Sequence, residues 1–263
     1  MEENKKFKLV TSKKTRYLLP NILTLAGVCL GISSIKFSID GNYSLAVTLI
    51  LLAAILDALD GRIARLIKGT SEFGKELDSL TDFVSFGIAP VFTLYFWELN
   101  NYGKLGWAIT LIYSVCCVLR LARFNLTQIE ETQKWKNNFF EGIPSPAGGL
   151  LILMPLIYDL NGFNLVLNLK DITPYLTVIV AILLVSKIPT LSLKKISTSP
   201  KTTVFLLLGI GIVFIALLFY TLETLLIFGL TYLISIPVSI ILYKKYNKKN
   251  LEKISDENHE DIL

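Results

Sequence analysis

The feature that most constrains this chain is a succession of apolar stretches, several about as long as the hydrocarbon core of a bilayer is thick. They run roughly over residues 20–39, 43–66, 83–97, 105–121, 147–160, 172–188, 203–220 and 222–243. A spanning helix needs ~20 predominantly apolar residues. The first stretch is too long for the core of a signal peptide and has no small-residue cleavage site after it. Apolar residues make up 52% of the chain and charged residues only 18%, with a mean hydropathy of +0.57. The expected fold is therefore all-α: a polytopic membrane helix bundle of about eight transmembrane helices, six at the fewest. The third span is expected to begin near Gly74, and the fifth, marked by Pro144, Pro146 and Pro155, to be short, tilted or broken.

Basic residues test this layout independently. With eight spans and both termini cytoplasmic, 23 of the 26 lysines and arginines fall on one side, leaving Lys36, Lys104 and Lys170 on the other. The inside set includes Arg62, Arg65, Lys68 and Lys75, then Arg120, Arg123, Lys134 and Lys136, then Lys187, Lys194, Lys195 and Lys201. That is the pattern of the positive-inside rule, and a miscounted span would scramble it. The chain accordingly divides into a basic juxtamembrane segment over 1–19, a membrane-embedded domain over 20–243 and a charged cytoplasmic tail over 244–263. The expected location is the cytoplasmic membrane.

Several function classes drop out. The basic residues flank apolar runs instead of forming a stripe with aromatic platforms, so nucleic acid is not an expected partner. Cys29, Cys116 and Cys117 lie inside apolar runs without metal-type spacing and read as small buried hydrophobes. The one histidine, His259, sits in the tail and offers neither base nor ligand to chemistry in the membrane.

Carboxylates within a span are costly, and each needs an explanation. Four are concentrated at the expected cytoplasmic ends of two consecutive spans: Asp57, Asp60, Asp78 and Asp82. The first two are spaced i,i+3 and the last two i,i+4, so each pair projects from one helix face. Gly61 and Ala64 lie beside the first pair, and Gly74 precedes Asp78 by one turn. Four like charges in one small site need a cation to remain ionised. Arg62, Arg65, Lys68 and Lys75 are the bland partners, but Arg62 and Arg65 cannot both point with the carboxylates. The functional reading is one or two hard divalent ions on oxygen ligands, Mg²⁺, Mn²⁺ or Ca²⁺. Such ions on carboxylates usually serve phosphate chemistry.

Residues 57–82 read D-x-x-D-G-x-x-A-R, eight residues, then G-x-x-x-D-x-x-x-D. This resembles the signature of the CDP-alcohol phosphatidyltransferases at all eight of its fixed positions. The resemblance implies two divalent ions held by Asp57, Asp60, Asp78 and Asp82, with Asp82 also the catalytic base. It implies a cytidine diphosphate held by Asp60, Gly61, Ala64, Arg65, Gly74 and Asp78, and a homodimer.

Other stretches resemble the phosphatidylserine synthase branch: LPNILTL (19–25), SLTDFVSFGIAP (79–90), LARFN (121–125) and FEGIPSPAGG (140–149). The implied reaction takes CDP-diacylglycerol and L-serine to phosphatidylserine and CMP within the lipid bilayer. An archaeal chain would use CDP-archaeol, and the excess of lysine over arginine fits an AT-rich bacterial or archaeal genome. The candidates for the serine pocket are Arg120, Arg123, Asn125, Glu76 and Ser145. Arg120 and Arg123 equally suit a second reading, as charges that set topology, and Glu76 as a charge in the first turn of its helix. Glycerol 3-phosphate or an inositol phosphate is the alternative acceptor. More remote are an intramembrane prenyltransferase and a cation transporter, and neither a second acidic motif nor a second copy of this one is present to support them.

Overall fold

In a computed structural model of the chain, residues 13–67, 69–127, 139–162, 169–191 and 200–260 are described. The basic residues before Lys13, together with Lys68, Lys134, Lys136, Lys194 and Lys195, lie outside them. The helices are α1 (Lys13–Ile39), α2 (Tyr43–Leu66), α3 (Glu72–Asp82), α4 (Ala89–Trp97), α5 (Lys104–Thr127), α6 (Ser145–Leu160), α7 (Thr173–Val185), α8 (Pro200–Phe219) and α9 (Thr221–Glu260). A π-helical stretch, Phe83–Ile88, joins α3 to α4 without a break, so among the described residues eight separate apolar helical segments correspond to the eight expected. Two three-residue strands, β1 (Phe139–Glu141) and β2 (Pro189–Leu191), form a short ribbon.

Among the described residues, five helices are long and apolar enough to cross a membrane: Leu18–Ile39, Tyr43–Leu66, Glu72–Trp97, Lys104–Leu126 and Thr221–Lys245. Large apolar side chains such as Ile22, Ile32, Leu111, Ile179 and Phe214 are exposed along the helices. Water would penalise that surface and lipid accepts it, so the chain is a multi-pass membrane protein. Cys29 shares this exposure and Cys116 is half-buried, which corrects the expectation that all three cysteines are buried. One further difference concerns the last span. Its membrane-crossing part, Thr221–Lys245, ends close to residue 243 as expected, but the helix itself continues through the charged tail to Glu260.

The chain divides into two compact units, Met1–Thr110 and Leu111–Leu263. In the first, Asn42 caps α2 by accepting from the Leu45 amide, and Gly41 turns the chain between α1 and α2 at φ +76°. The α1 helix carries small residues at Thr24, Gly27, Gly31, Ser34 and Ser38, a 3-4-3-4 spacing that lines one face. All but the two glycines are hydroxyl side chains. This face packs in parallel against α3 and its continuation. The Ser85 hydroxyl donates to the Gly27 carbonyl at 3.3 Å. A Cβ on Gly27 would lie 3.4 Å from Thr81 Cγ2, and one on Gly31 would lie 3.0 Å from Ser85 Oγ and 3.2 Å from Ser85 Cα. Further along, the Ser38 hydroxyl donates to Thr93 Oγ1 at 2.8 Å. Small side chains let membrane helices approach this closely, where dispersion and hydrogen bonds replace the missing hydrophobic drive.

The π-helical stretch follows from this contact. From Gly27:Thr81 to Ser38:Thr93, α1 advances eleven residues and its partner twelve. A π turn absorbs one extra residue, keeping Thr81, Ser85 and Thr93 on the same seam. At its other end α2 is tied to α4, where the Tyr43 hydroxyl donates to the Phe96 carbonyl at 2.9 Å. Phe92, Tyr95 and Trp107 cluster nearby, with the Tyr95 and Trp107 ring centroids 5.4 Å apart.

In the second unit, α6 packs on both α7 and α9. At 16 residues α6 is ~24 Å long, short of the ~30 Å hydrocarbon core. Its buried residues, among them Gly148, Leu151, Ile152, Leu153 and Leu156, point in every direction, so protein sheathes it. The ribbon pins the segment before α6. The Gly142 amide donates to the Ile188 carbonyl at 2.8 Å, and the Thr190 hydroxyl donates to the Gly142 carbonyl at 2.8 Å. Gly142 has φ +75°, and a Cβ there would lie 2.8 Å from the Ser186 carbonyl oxygen. Only glycine satisfies both demands.

The glycine seam is testable by size. Gly31→Val would collide with the backbone of Ser85, so it is expected to destabilise the first unit by about 1–3 kcal/mol. Gly209→Val, where a Cβ meets nothing within 4 Å, is the control. Thermal unfolding in detergent should separate the two variants, and equal midpoints would contradict the seam.

Candidate active site

The acidic residues sit where two helices of the first unit come together. The last turns of α2 bring Asp57 and Asp60, with Gly61, Ala64 and Arg65 following on the same helix. The helix closes when the Gly69 amide donates to the Ala64 carbonyl at 2.8 Å. Three residues after Gly69, α3 begins under a serine cap, the Ser71 hydroxyl accepting from the Gly74 amide at 3.0 Å. That cap sets the phase of α3, so Asp78 and Asp82 emerge toward α2.

The four aspartates do converge. Asp57, Asp60 and Asp78 each offer an oxygen within 4.8 Å of the others. The Asp57 carboxyl also lies within hydrogen-bonding reach of those of Asp78 and Asp82. Asp60 is 3% exposed, while the other three are half-buried. Carboxyl groups this close repel unless a proton or a cation lies between them. Separations of about 3–5 Å are what neighbouring oxygens take around an Mg²⁺ or Ca²⁺ ion, and an all-oxygen donor set suits such hard ions. The cluster therefore fits a divalent metal, and histidine and thiol play no part in it.

Of the expected nucleotide-binding residues, Gly61 lies beneath the Arg65 side chain. A Cβ on it would stand 3.6 Å from one guanidinium nitrogen. The Arg65 charge acts on Asp78. Ala64 is half-buried. Gly74 lies against α1, since a Cβ there would come within 3.2 Å of Asn21 Oδ1.

Two residues of this unit escaped the sequence reading, and both lie on α1. One is Asn21, just described. The other is Thr24, 5% exposed, whose hydroxyl donates to Asp60 Oδ2 at 2.5 Å. Thr24 opens the 3-4-3-4 spacing of small residues, whereas Asn21 lies before it; both fall within the LPNILTL stretch (19–25).

The acceptor candidates separate. In the second unit the structure joins Arg120 to Ser145, with a guanidinium nitrogen donating to Ser145 Oγ at 2.5 Å. Arg120 is 8% exposed and its guanidinium lies 5.6 Å from the centre of the Phe124 ring. The Cys117 thiol approaches the same Ser145 hydroxyl at 3.7 Å. Arg123 points elsewhere. It donates to the carbonyls of Val185 at 2.7 Å and Ser186 at 3.0 Å, where a cation complements the C-terminal end of α7. Asn125 is half-buried near the end of α5, and Glu76 is exposed on α3 in the first unit.

Comparison with known proteins follows this geometry. The profile of a family described as CDP-alcohol phosphatidyltransferase matches residues 17–184, which include all four aspartates. Proteins named CDP-diacylglycerol–serine O-phosphatidyltransferase are similar to the chain. That of Mycobacterium leprae is 36% identical over 225 residues, covering 85% of this chain and 74% of the relative. That of Helicobacter pylori strain 26695 is 34% identical over 199 residues, covering 76% of this chain and 82% of the relative. The Mycobacterium tuberculosis H37Rv protein is 43% identical over 137 residues, and there the chain spans about half (48%) of the relative's length. With the aspartate signature assembled in space and the family profile spanning it, the chain belongs to the CDP-alcohol phosphatidyltransferase family.

Proposed function

We propose that the chain transfers a phosphatidyl group from CDP-diacylglycerol to the hydroxyl of L-serine, releasing CMP. The observation that carries this is the convergence of four carboxylates inside the CDP-alcohol signature. The serine assignment draws on the names of the similar proteins. The same residues would serve CDP-archaeol, because the ether or ester linkage lies away from the pyrophosphate.

Divalent ions, two in this reading, would be held by Asp57, Asp60, Asp78 and Asp82 and would supply charge neutralisation for the pyrophosphate and the departing CMP. Gly61, beneath the Arg65 side chain, would let the phosphates lie near the helix backbone, Gly74 keeps α3 close to Asn21 of α1, and Arg65 would offer a guanidinium to the phosphates. Asp82 takes the proton of the serine hydroxyl, the only task for which a histidine would otherwise be needed. The serine oxygen forms its bond to the lipid phosphorus as the bond from that phosphorus to the CMP oxygen breaks. The proton passes to Asp82, and the electron pair leaves with CMP.

For the acceptor, the second unit favours Arg120 with Ser145 as the group that holds the serine carboxylate. A bidentate guanidinium suits a carboxylate. Arg123 has structural work at the end of α7 instead. The alternation of basic residues supports cytoplasmic termini and a site facing the cytoplasm at headgroup depth, in the cytoplasmic membrane. A homodimer rests on family resemblance.

Inverted membrane vesicles containing the protein, given CDP-diacylglycerol and serine on the cytoplasmic face, should release CMP. EDTA should stop the release, and Mg²⁺ or Mn²⁺ should restore it. Release that needs glycerol 3-phosphate or an inositol phosphate in place of serine would overturn the acceptor, and no release with any alcohol would overturn the activity. Asp82→Asn should lower kcat by about 10²–10⁴-fold, the range for loss of a general base. Arg120→Lys should raise the KM for serine by about 10–100-fold, the value of a hydrogen bond to a charged group. An unchanged serine KM would remove Arg120 from the acceptor pocket.

A further inference from the structure

Asp60 is the most deeply buried of the four aspartates, at 3% exposure, and α1 reaches it through Thr24. The Thr24 hydroxyl stands 2.5 Å from Asp60 Oδ2 and 3.0 Å from the Pro20 carbonyl oxygen one turn earlier. A hydroxyl has one proton to donate and accepts through its lone pairs. Two oxygen acceptors compete for that proton, and the carboxylate is the stronger and the nearer. Thr24 is itself 5% exposed and β-branched within a helix, so its rotamer is restricted. The helix that carries it is fixed by the seam of Gly27 and Gly31 against Thr81 and Ser85, one and two turns further on. The Gly61 amide also hydrogen-bonds the Asp60 carboxyl from α2 itself, so Thr24 adds the contact that ties it to α1.

We propose that Thr24 is a positioning residue for the metal site: its hydroxyl engages one oxygen of Asp60 and turns the other toward the cation shared with Asp57 and Asp78. The proposal rests on the metal reading above and extends it to a helix outside the signature. Groups that orient a ligand in this way typically change metal affinity or activity by about 10–100-fold when removed. The side chain touches neither nucleotide nor acceptor in this account. Its loss should therefore move the cation dependence first and the serine KM little.

The test uses purified full-length protein and Mn²⁺ as the probe, with free Mn²⁺ read by its paramagnetic resonance signal and no substrate present. Thr24→Val keeps the shape and removes the donor, and is expected to weaken Mn²⁺ binding by about 10–100-fold. Thr24→Ser keeps the donor and should bind within a few-fold of the parent. In CMP-release assays the Val variant should need correspondingly more Mn²⁺ for half-maximal rate, with its serine KM unchanged. If Thr24→Val does not fold, Thr24→Ala provides the same comparison, judged by thermal unfolding in EDTA. A Val or Ala variant that folds and binds Mn²⁺ as the parent does overturns the role of Thr24 and leaves the metal site intact. A parent that binds no Mn²⁺ overturns the metal reading, and this role with it.

Discussion

Four carboxylates held at the meeting of two membrane helices repel one another, and the first unit is organised around resisting that repulsion. Asp57, Asp60 and Asp78 bring oxygens within 4.8 Å of each other, and Asp82 joins through Asp57. Neither α2 nor α3 alone could enforce this. What holds them is α1, which binds α3 through glycines close enough for backbone contact and fastens Asp60 through a threonine. The acidic cluster is thus a three-helix object, although its carboxylates come from two.

This arrangement also separates the tasks of the chain. The first unit supplies the acidic cluster and the signature glycines. The second buries a guanidinium against a serine hydroxyl and an aromatic ring, on helices braced by a ribbon and by Arg123 at the end of α7. Positive charge appears in both units in different roles. Arg65 is exposed and its charge acts on Asp78, Arg120 is buried, and Arg123 satisfies carbonyls. Three arginines that look alike in a sequence are distinguished only by what surrounds them.

Much of this was legible beforehand, for reasons that differ from feature to feature. The spans could be read because a bilayer demands long apolar runs, and α2 and the π-joined third span begin and end close to where hydropathy put them. The aspartate faces could be read because helical periodicity is local: i,i+3 and i,i+4 fix direction without knowledge of the partner. Thr24 stayed hidden, since its hydrogen bond reaches across 36 residues of chain to a helix whose phase is set elsewhere. The ribbon was missed because three residues per strand are too few to show alternation. Continuation of α9 past the span was missed because charged residues form helix readily, whereas hydropathy registers only the end of the membrane.

The π-helical stretch between Asp82 and Ala89 makes residue count a constraint in addition to residue identity. Within it Ser85 is held by the seam through its hydroxyl and its close approach to Gly31. A chain shortened or lengthened there by one position meets a different problem. The helix on one side would turn by about 100° relative to the other. Either the aspartates would leave the cluster or Thr93 would leave Ser38. The spacing from the last aspartate to the following proline therefore behaves as a ruler, over and above the identity of the residues between them.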